Sequence, residues 1–107
     1  MMKSILSTAF FLSSCVFGAA SSKNGSNWAV LIAGSNGYYN YRHQADVSHS
    51  YQILTKMGGF PSENVIVMIY NDIVNNSQNP IPGKLFNEPG GIDVYDDIIV
   101  SYSGDKV

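Results

Sequence analysis

Residues that could do chemistry are concentrated between positions 33 and 46, in the stretch Ala-Gly-Ser-Asn-Gly-Tyr-Tyr-Asn-Tyr-Arg-His-Gln-Ala-Asp. Asn40 offers an amide that can both donate and accept hydrogen bonds. Arg42 offers a planar fork of donors for a carbonyl or carboxylate. His43 can donate or accept a hydrogen bond through its ring nitrogens. From residue types alone, a turn is the favoured role of Asn40, and Arg42 could make a surface ion pair and His43 a structural contact.

Three other kinds of site fit this stretch less well. Gly34 and Gly37 follow an apolar run, but neither the third glycine of a dinucleotide site nor a Gly-Lys-Ser/Thr triplet is present. His43 and His49 have a spacing that does not place them on one helix face for a metal ion. Ser35 lacks the Gly-x-Ser-x-Gly surroundings of a hydrolase nucleophile. The sequence therefore predicts no metal site here.

The elements around the stretch predict a strand–helix–strand unit of the α/β class. The apolar run Trp28–Ala33 ends in turn residues and indicates a strand buried on both faces. Gln44–Met57 has helical spacing and is followed by two glycines. Asn64–Tyr70 contains a second run rich in β-branched residues. The apolar helix stripe consists of Val47, Tyr51, Leu54 and Met57.

This order predicts a parallel strand pair joined by a right-handed crossover. The stretch of polar residues would then follow the carboxyl end of the first strand, where open α/β sheets bind ligands. Tyr38–His43 and residues 71–91 are expected to be loops, and Ile98–Val100 could add a short strand. Because one helix covers only one face of a parallel sheet, the unit should expose a large apolar surface.

The composition and the amino-terminal residues indicate a secreted protein. Met1–Ala20 has a positive start at Lys3, an apolar centre and small residues before Ser21, which predicts a signal peptide. The apolar stretch is shorter than the ~20 residues that cross a bilayer. The chain has 107 residues, a net charge of −2 and no basic run, so nucleic acid and membrane are not expected as partners.

Cysteine and sequon positions agree with this route. The single cysteine, Cys15, lies in the predicted signal peptide, so the expected mature segment has no disulfide and no thiol nucleophile. Residues 21–27 are expected to be a flexible amino terminus. Asn24 and Asn75 each begin a glycosylation sequon, and Asn75 is the better candidate because a loop surrounds it.

The stretch Trp28–Asp46, with Asn40-Tyr41-Arg42-His43 at its centre, resembles the amino-terminal signature of the legumains. These are the asparaginyl endopeptidases of lysosomes, plant vacuoles and parasite guts. The resemblance continues through the helix, residues 65–72 and residues 79–87, and covers essentially all of residues 28–107. The catalytic subunit of the glycosylphosphatidylinositol transamidase shares the Asn-Tyr-Arg-His core. It is expected to lack the Ala-Gly-Ser-Asn-Gly that precedes it and the Gln-Ala-Asp that follows.

The resemblance implies a caspase-like α/β/α sandwich, of which residues 28–107 hold only the first βαβ unit and the following loop. It implies a peptidase with a Cys nucleophile and a His base, acting on protein and peptide substrates after Asn. Asn40 would be the catalytic residue that orients the His, and Arg42 and His43 would line the pocket for the substrate Asn. No cofactor is implied, and cystatin-type inhibitors are implied as partners. The implied location is the lysosome, the vacuole or the secretory route.

Three departures from the legumain pattern bear on the expectation. The His and Cys of the family lie downstream, so residues 28–107 are expected to be the amino-terminal piece of an enzyme, inactive as written. Ser48 stands where many relatives have a non-catalytic Cys, and Asn71 replaces an Asp. Two alternatives stay open: a non-catalytic secreted fragment that folds alone, and a transamidase-like subunit with a membrane anchor elsewhere.

Overall fold

The computed structural model describes residues 26–107, and within them a strand–helix–strand unit forms the centre of the fold. Strand β1 (Ala29–Ala33) and strand β2 (Val65–Ile69) pair in parallel, with Ala29 opposite Val65 and Ala33 opposite Ile69. Helix α1 (Tyr41–Gln52) connects them. The predicted βαβ unit is confirmed. The predicted signal peptide, Cys15 and Asn24 lie outside the described residues.

Helix α1 begins earlier than predicted. A 3₁₀ turn occupies Tyr38–Asn40 and leads directly into the helix, so the loop expected over 38–43 is wrong. The turn starts immediately after Gly37, whose φ of 84° redirects the chain. The rings of Tyr38 and Tyr41 then meet edge to face, with centroids 5.6 Å apart. This aromatic contact stabilises the turn against the first residues of the helix.

The apolar stripe of α1 covers one face of the sheet. Tyr51 packs with the buried strand residues, and Val47 and Leu54 lie against the same cluster. Met57 does not belong to it, because its side chain is 82% exposed. The end of the helix, Ile53–Met57, is a π-helix, and its wider turn rotates Met57 out of the stripe. The buried members of this cluster are Ala33, Tyr51, Val65, Val67 and Ile69.

The opposite face of β1 is open to solvent. Side chains alternate along a strand, so α1 covers Ala29, Leu31 and Ala33 while the residues between them point away. Val30 is 56% and Ile32 59% exposed. The prediction that β1 is buried on both faces is therefore wrong for residues 26–107. The prediction that the unit exposes apolar surface is confirmed.

The segment after β2 packs as a second small core against the start of α1. Its buried residues are Ala45, Ile73, Val74, Leu85 and Val94. Asn79 is buried and organises the turn: its Nδ2 donates to the carbonyl oxygens of Val74 at 2.9 Å and Lys84 at 3.0 Å. Its Oδ1 accepts from the backbone N–H of Ile81 at 3.1 Å. These contacts hold a proline-rich segment that has no regular secondary structure.

Beyond this segment the chain returns to the sheet later than expected. Ile98–Val100 is not a strand; the pairing begins at Ser101, whose N–H donates to the Val67 carbonyl at 2.9 Å. Tyr102 forms a single parallel bridge with Met68. Ile98 and Val100 pack against the first core cluster, while Ile99 between them is 53% exposed. None of the helices in the described part of the chain is long and apolar enough to cross a membrane.

Candidate functional site

The predicted site residues lie on one loop and the first turn of α1, at the carboxyl edge of the parallel pair. The loop leaves β1 at Gly34 and turns at Gly37, where φ is 84° and ψ 144°. A Cβ at Gly37 would meet no atom within 4 Å, so the backbone conformation alone requires glycine. Asn40 occupies the position immediately before α1. Ligand sites are common at this edge of an α/β sheet.

The side chain of Asn40 is fixed by its amide nitrogen. Nδ2 donates to the backbone carbonyl of Asn36 at 2.9 Å. The backbone N–H of Asn40 donates to the carbonyl of Gly37, also at 2.9 Å. Among residues 26–107, no donor approaches Oδ1 within hydrogen-bond distance. The arrangement therefore leaves the amide oxygen free to accept a hydrogen bond from another group.

His43 is held by Ser35, which the sequence indicated only as a poor candidate nucleophile. Ser35 Oγ and His43 Nδ1 are 2.7 Å apart, across the loop. Because Nδ1 is engaged, Nε2 is the ring nitrogen left to face a ligand. The half-buried position of His43 on the first turn of α1 restricts its ring further.

Arg42 lies on the solvent side of the same turn. Its side chain is 80% exposed, and its Nε lies 4.0 Å from Asp46 Oδ2, one turn further along the helix. An exposed i,i+4 pair at this distance contributes little stability. The weak ion pair with Asp46 therefore leaves the guanidinium group of Arg42 available to another partner.

Asp72 and Gln44 belong to the site region although sequence reasoning did not select them. Asp72 Oδ2 accepts from the backbone N–H of Gly37 at 2.7 Å, and Oδ1 accepts from Gln44 Nε2 at 2.7 Å. Asp72 follows β2, as Gly34 follows β1. The sequence does contain a signal for Asp72. An acidic residue just after the second of two parallel strands must lie near the loop that follows the first.

His49 lies apart from this region and has a different partner. Its Nδ1 is 3.0 Å from Asn87 Nδ2, at a cavity of about 140 Å³. The lining residues are His49, Asn87, Glu88, Gly91, Ile92 and Val94. The two histidines thus serve separate contacts. Within residues 26–107, no group of three or more His, Cys, Asp or Glu side chains could hold a metal ion.

The candidate glycosylation site Asn75 lies in an exposed turn after β2. An oligosaccharide needs such an accessible asparagine, so the position satisfies the steric requirement of the sequon. Modification of Asn75 remains a prediction.

Comparison with known proteins gives a consistent result over nearly all of the described residues. Residues 27–107 match the model of the Peptidase C13 family. Legumain of Mus musculus is 52% identical over 83 residues, 78% of this chain and 19% of the mouse protein. The vacuolar-processing enzyme of Vicia sativa is 54% identical over 83 residues, 78% of this chain and 17% of the plant protein.

A third similar protein, the vacuolar-processing enzyme delta-isozyme of Arabidopsis thaliana, is 55% identical over 86 residues, 80% of this chain and 18% of that enzyme. The chain therefore spans less than a fifth of the length of these relatives.

Proposed function

Because the chain belongs to the Peptidase C13 family, a family of cysteine endopeptidases, we propose that it is the first part of an endopeptidase that cleaves after asparagine. The β1–α1–β2 unit is the first βαβ unit of the caspase-like fold of that family. Residues 28–107 supply an orienting residue and part of a substrate pocket. The thiol nucleophile and the imidazole base come from other parts of the enzyme.

The observation that carries this proposal is the fixed side chain of Asn40. Its Nδ2 is occupied by the Asn36 carbonyl, so its Oδ1 has a defined direction and accepts nothing from residues 26–107. An amide oxygen in that state suits one task in a cysteine peptidase, which is to accept the N–H of the histidine base. This contact selects the tautomer that leaves the second imidazole nitrogen free for the thiol.

The amide also has an electrostatic advantage over a carboxylate in this place. An aspartate would add a negative charge beside the imidazolium that forms when the thiol loses its proton. Asn40 orients the ring without that charge, and the thiolate–imidazolium pair is then set by the two reacting groups themselves. The hydrogen bond to the Asn36 carbonyl supports this orientation of Asn40.

Arg42 and His43 are proposed to bind the substrate asparagine. The exposed guanidinium of Arg42 can donate to the side-chain carbonyl of that residue. His43, with Nδ1 held by Ser35, presents Nε2 to the same pocket. An asparagine side chain carries both a donor and an acceptor, so a pocket with fixed polar groups can select it over an apolar residue.

The names of the relatives support a location and a class of partner. Legumain and vacuolar-processing enzyme point to a secretory route that ends in a lysosome or a vacuole. The predicted signal peptide over Met1–Ala20 agrees with that route. Protein and peptide substrates follow from the endopeptidase class, and cystatin-type inhibitors are proposed as regulators.

The proposal is tested on the complete enzyme that contains this segment, purified after expression in a secretory eukaryotic host. Two fluorogenic peptides that differ only in Asn or Gln before the scissile bond are incubated with it at acidic pH. Cleavage after Asn alone is expected, with inhibition by a thiol-alkylating reagent. Equal cleavage of both peptides would contradict the proposed specificity for Asn. No cleavage by the fully processed protein would contradict the proposed peptidase activity.

A further inference from the structure

The carboxylate of Asp72 joins the exit of β2 to both sides of the Asn40 turn. Oδ2 accepts from the Gly37 N–H and Oδ1 from Gln44 Nε2, each at 2.7 Å. We call these three groups the Asp72 network. Both distances are at the short end for N–H donors, as is usual when the acceptor is charged. One side chain therefore connects a residue before the turn to a residue after it.

The two partners of Asp72 enclose Asn40 in the sequence and in space. Gly37 precedes Asn40 by one 3₁₀ turn, and its carbonyl accepts the backbone N–H of Asn40 at 2.9 Å. Gln44 follows Asn40 by one turn of α1, where residues four apart lie on the same side. The Gly37 N–H and the Asn36 carbonyl belong to the same peptide group. Asp72 accepts a hydrogen bond from its N–H, and its carbonyl oxygen accepts one from Asn40 Nδ2.

The network is itself anchored, so it can hold the loop rather than follow it. Gln44 is 1% exposed, which excludes alternative rotamers reaching solvent. The backbone carbonyl of Asp72 accepts from Asn76 Nδ2 at 3.3 Å, which ties the acidic residue to the segment after β2. Gln44 Nε2 also makes a longer contact, 3.5 Å, with the carbonyl of Ser35. A shift of the loop would therefore disturb several of these hydrogen bonds at once.

We propose that Asp72 is a positioning residue of the peptidase, acting through Asn40. It makes no contact with the reacting atoms. Its carboxylate fixes the Asn36–Gly37 peptide group, and that group fixes the direction of Asn40 Oδ1. The inference rests on the proposed role of Asn40, and it predicts that loss of Asp72 slows the chemical step and leaves substrate binding nearly unchanged.

The test compares Asp72→Asn with wild type in the complete enzyme, using steady-state kinetics on an asparagine peptide. Asparagine keeps the shape but loses the charge and one acceptor. We expect kcat to fall by about 10- to 100-fold, as for a small misplacement of a catalytic group, with KM little changed. Asp97→Asn, which changes an exposed carboxylate outside the network, is the matched control and should retain the wild-type kcat.

A double-mutant cycle with Asn40→Ala separates positioning from general stability. If Asp72 acts through Asn40, Asp72→Asn should lower kcat by less than about 3-fold in the Asn40→Ala background. The same large loss in both backgrounds would overturn the proposal. Gln44→Met, which removes one arm of the network, should give a smaller loss with the same dependence on Asn40. If neither variant folds, Asp72 serves stability alone and the proposal is wrong.

Hydrogen exchange at the Gly37 amide distinguishes failure of this proposal from failure of the proposed function. The amide should exchange slowly in wild type and faster in Asp72→Asn, whether or not any peptide is cleaved. Unchanged exchange would show that the contact with Asp72 does not hold the loop. A wild-type enzyme with slow Gly37 exchange and no cleavage after Asn would instead count against the peptidase function.

Discussion

The amide nitrogen of Asn40 donates to the carbonyl oxygen of Asn36 across 2.9 Å, from the residue immediately before α1 back to the loop that follows β1. The contact does not cap the helix, because no backbone N–H of α1 uses the Asn40 side chain. It instead leaves the amide oxygen without a partner among residues 26–107. The side chain thus has one hydrogen bond through its nitrogen and an oxygen open to another group, as the proposed orienting role requires.

Replacing Asn40 by alanine should affect the chemical step of the complete enzyme. Without the amide oxygen the imidazole base is no longer held in one tautomer, so kcat should fall by roughly 100-fold. Steady-state kinetics on an asparagine peptide measures the loss. Glu63→Ala, at the amino end of β2 and on the opposite edge of the sheet, is the control. An Asn40→Ala enzyme with the kcat of this control would exclude the orienting role.

Replacing Ser35 by alanine should affect substrate binding more than turnover. The change removes the 2.7 Å contact with His43 Nδ1, so the ring loses its fixed orientation. One neutral hydrogen bond corresponds to about a 5-fold change in an equilibrium constant, and KM for the asparagine peptide should rise by that amount. Ser50→Ala removes an exposed hydroxyl that bonds only to the Asp46 carbonyl and should leave KM unchanged. A fall in kcat with constant KM would contradict this role for Ser35.

Replacing Gly37 by alanine should destabilise the protein through the backbone. The φ of 84° and ψ of 144° lie in a region that is nearly restricted to glycine, and occupying it costs another residue about 1–3 kcal/mol. Gly34→Ala is a close control, because a Cβ at Gly34 also meets nothing within 4 Å and its φ lies outside the positive range. Urea denaturation of both variants gives the difference. Equal stability of the two would show that the loop relaxes.

Replacing Asn79 by aspartate should be among the more damaging changes in the segment after β2. The side chain is 5% exposed, and its Nδ2 faces two carbonyl oxygens within 3.0 Å. A carboxylate there would have no proton to donate, with a cost of about 3 kcal/mol in the free energy of unfolding. Gln78→Glu makes the same change of charge at an exposed neighbour and should cost almost nothing. A small effect at Asn79 would mean that water replaces its contacts.

The sequon at Asn75 makes a prediction about modification. Expression in a secretory eukaryotic host should give a protein whose mobility on a gel increases after treatment with a peptide N-glycosidase. Asn75→Gln should reduce that shift, because the residue lies in an exposed turn. A shift that persists in full would assign the glycan to Asn24 or to a site elsewhere in the enzyme.

The strands and the edge of the sheet that carries the site could be predicted because their signals are local. Two apolar runs with turn residues after them suffice for β1 and β2, and the parallel pairing follows from the helix between them. The sequence does not predict the start of α1, because Tyr38–Asn40 has no strong helix signal. Gly37, with its positive φ, and the contact between Tyr38 and Tyr41 decide that boundary.

The residues missed at the site have a related cause. Asp72 lies far from Asn40 in the sequence, and only the strand pairing brings the two loops to the same edge. The residue type of Ser35 suggests hydroxyl chemistry, whereas in the structure its Oγ contacts His43 Nδ1. Periodicity identifies which residues are buried, but it does not show which polar groups meet across a sheet edge.

The parallel pairing of β1 with β2 also has a kinetic consequence. Ala29 lies opposite Val65, so the first hydrogen bond between the strands closes a long loop. That loop contains α1 and the segments that connect it to the two strands. Local structure such as α1 forms on a much shorter timescale than this long-range closure. Asp72 reaches Gly37 only once the strands have paired, so the Asn40 geometry is acquired late. During refolding, helical circular dichroism should therefore recover before the protection of the Gly37 amide.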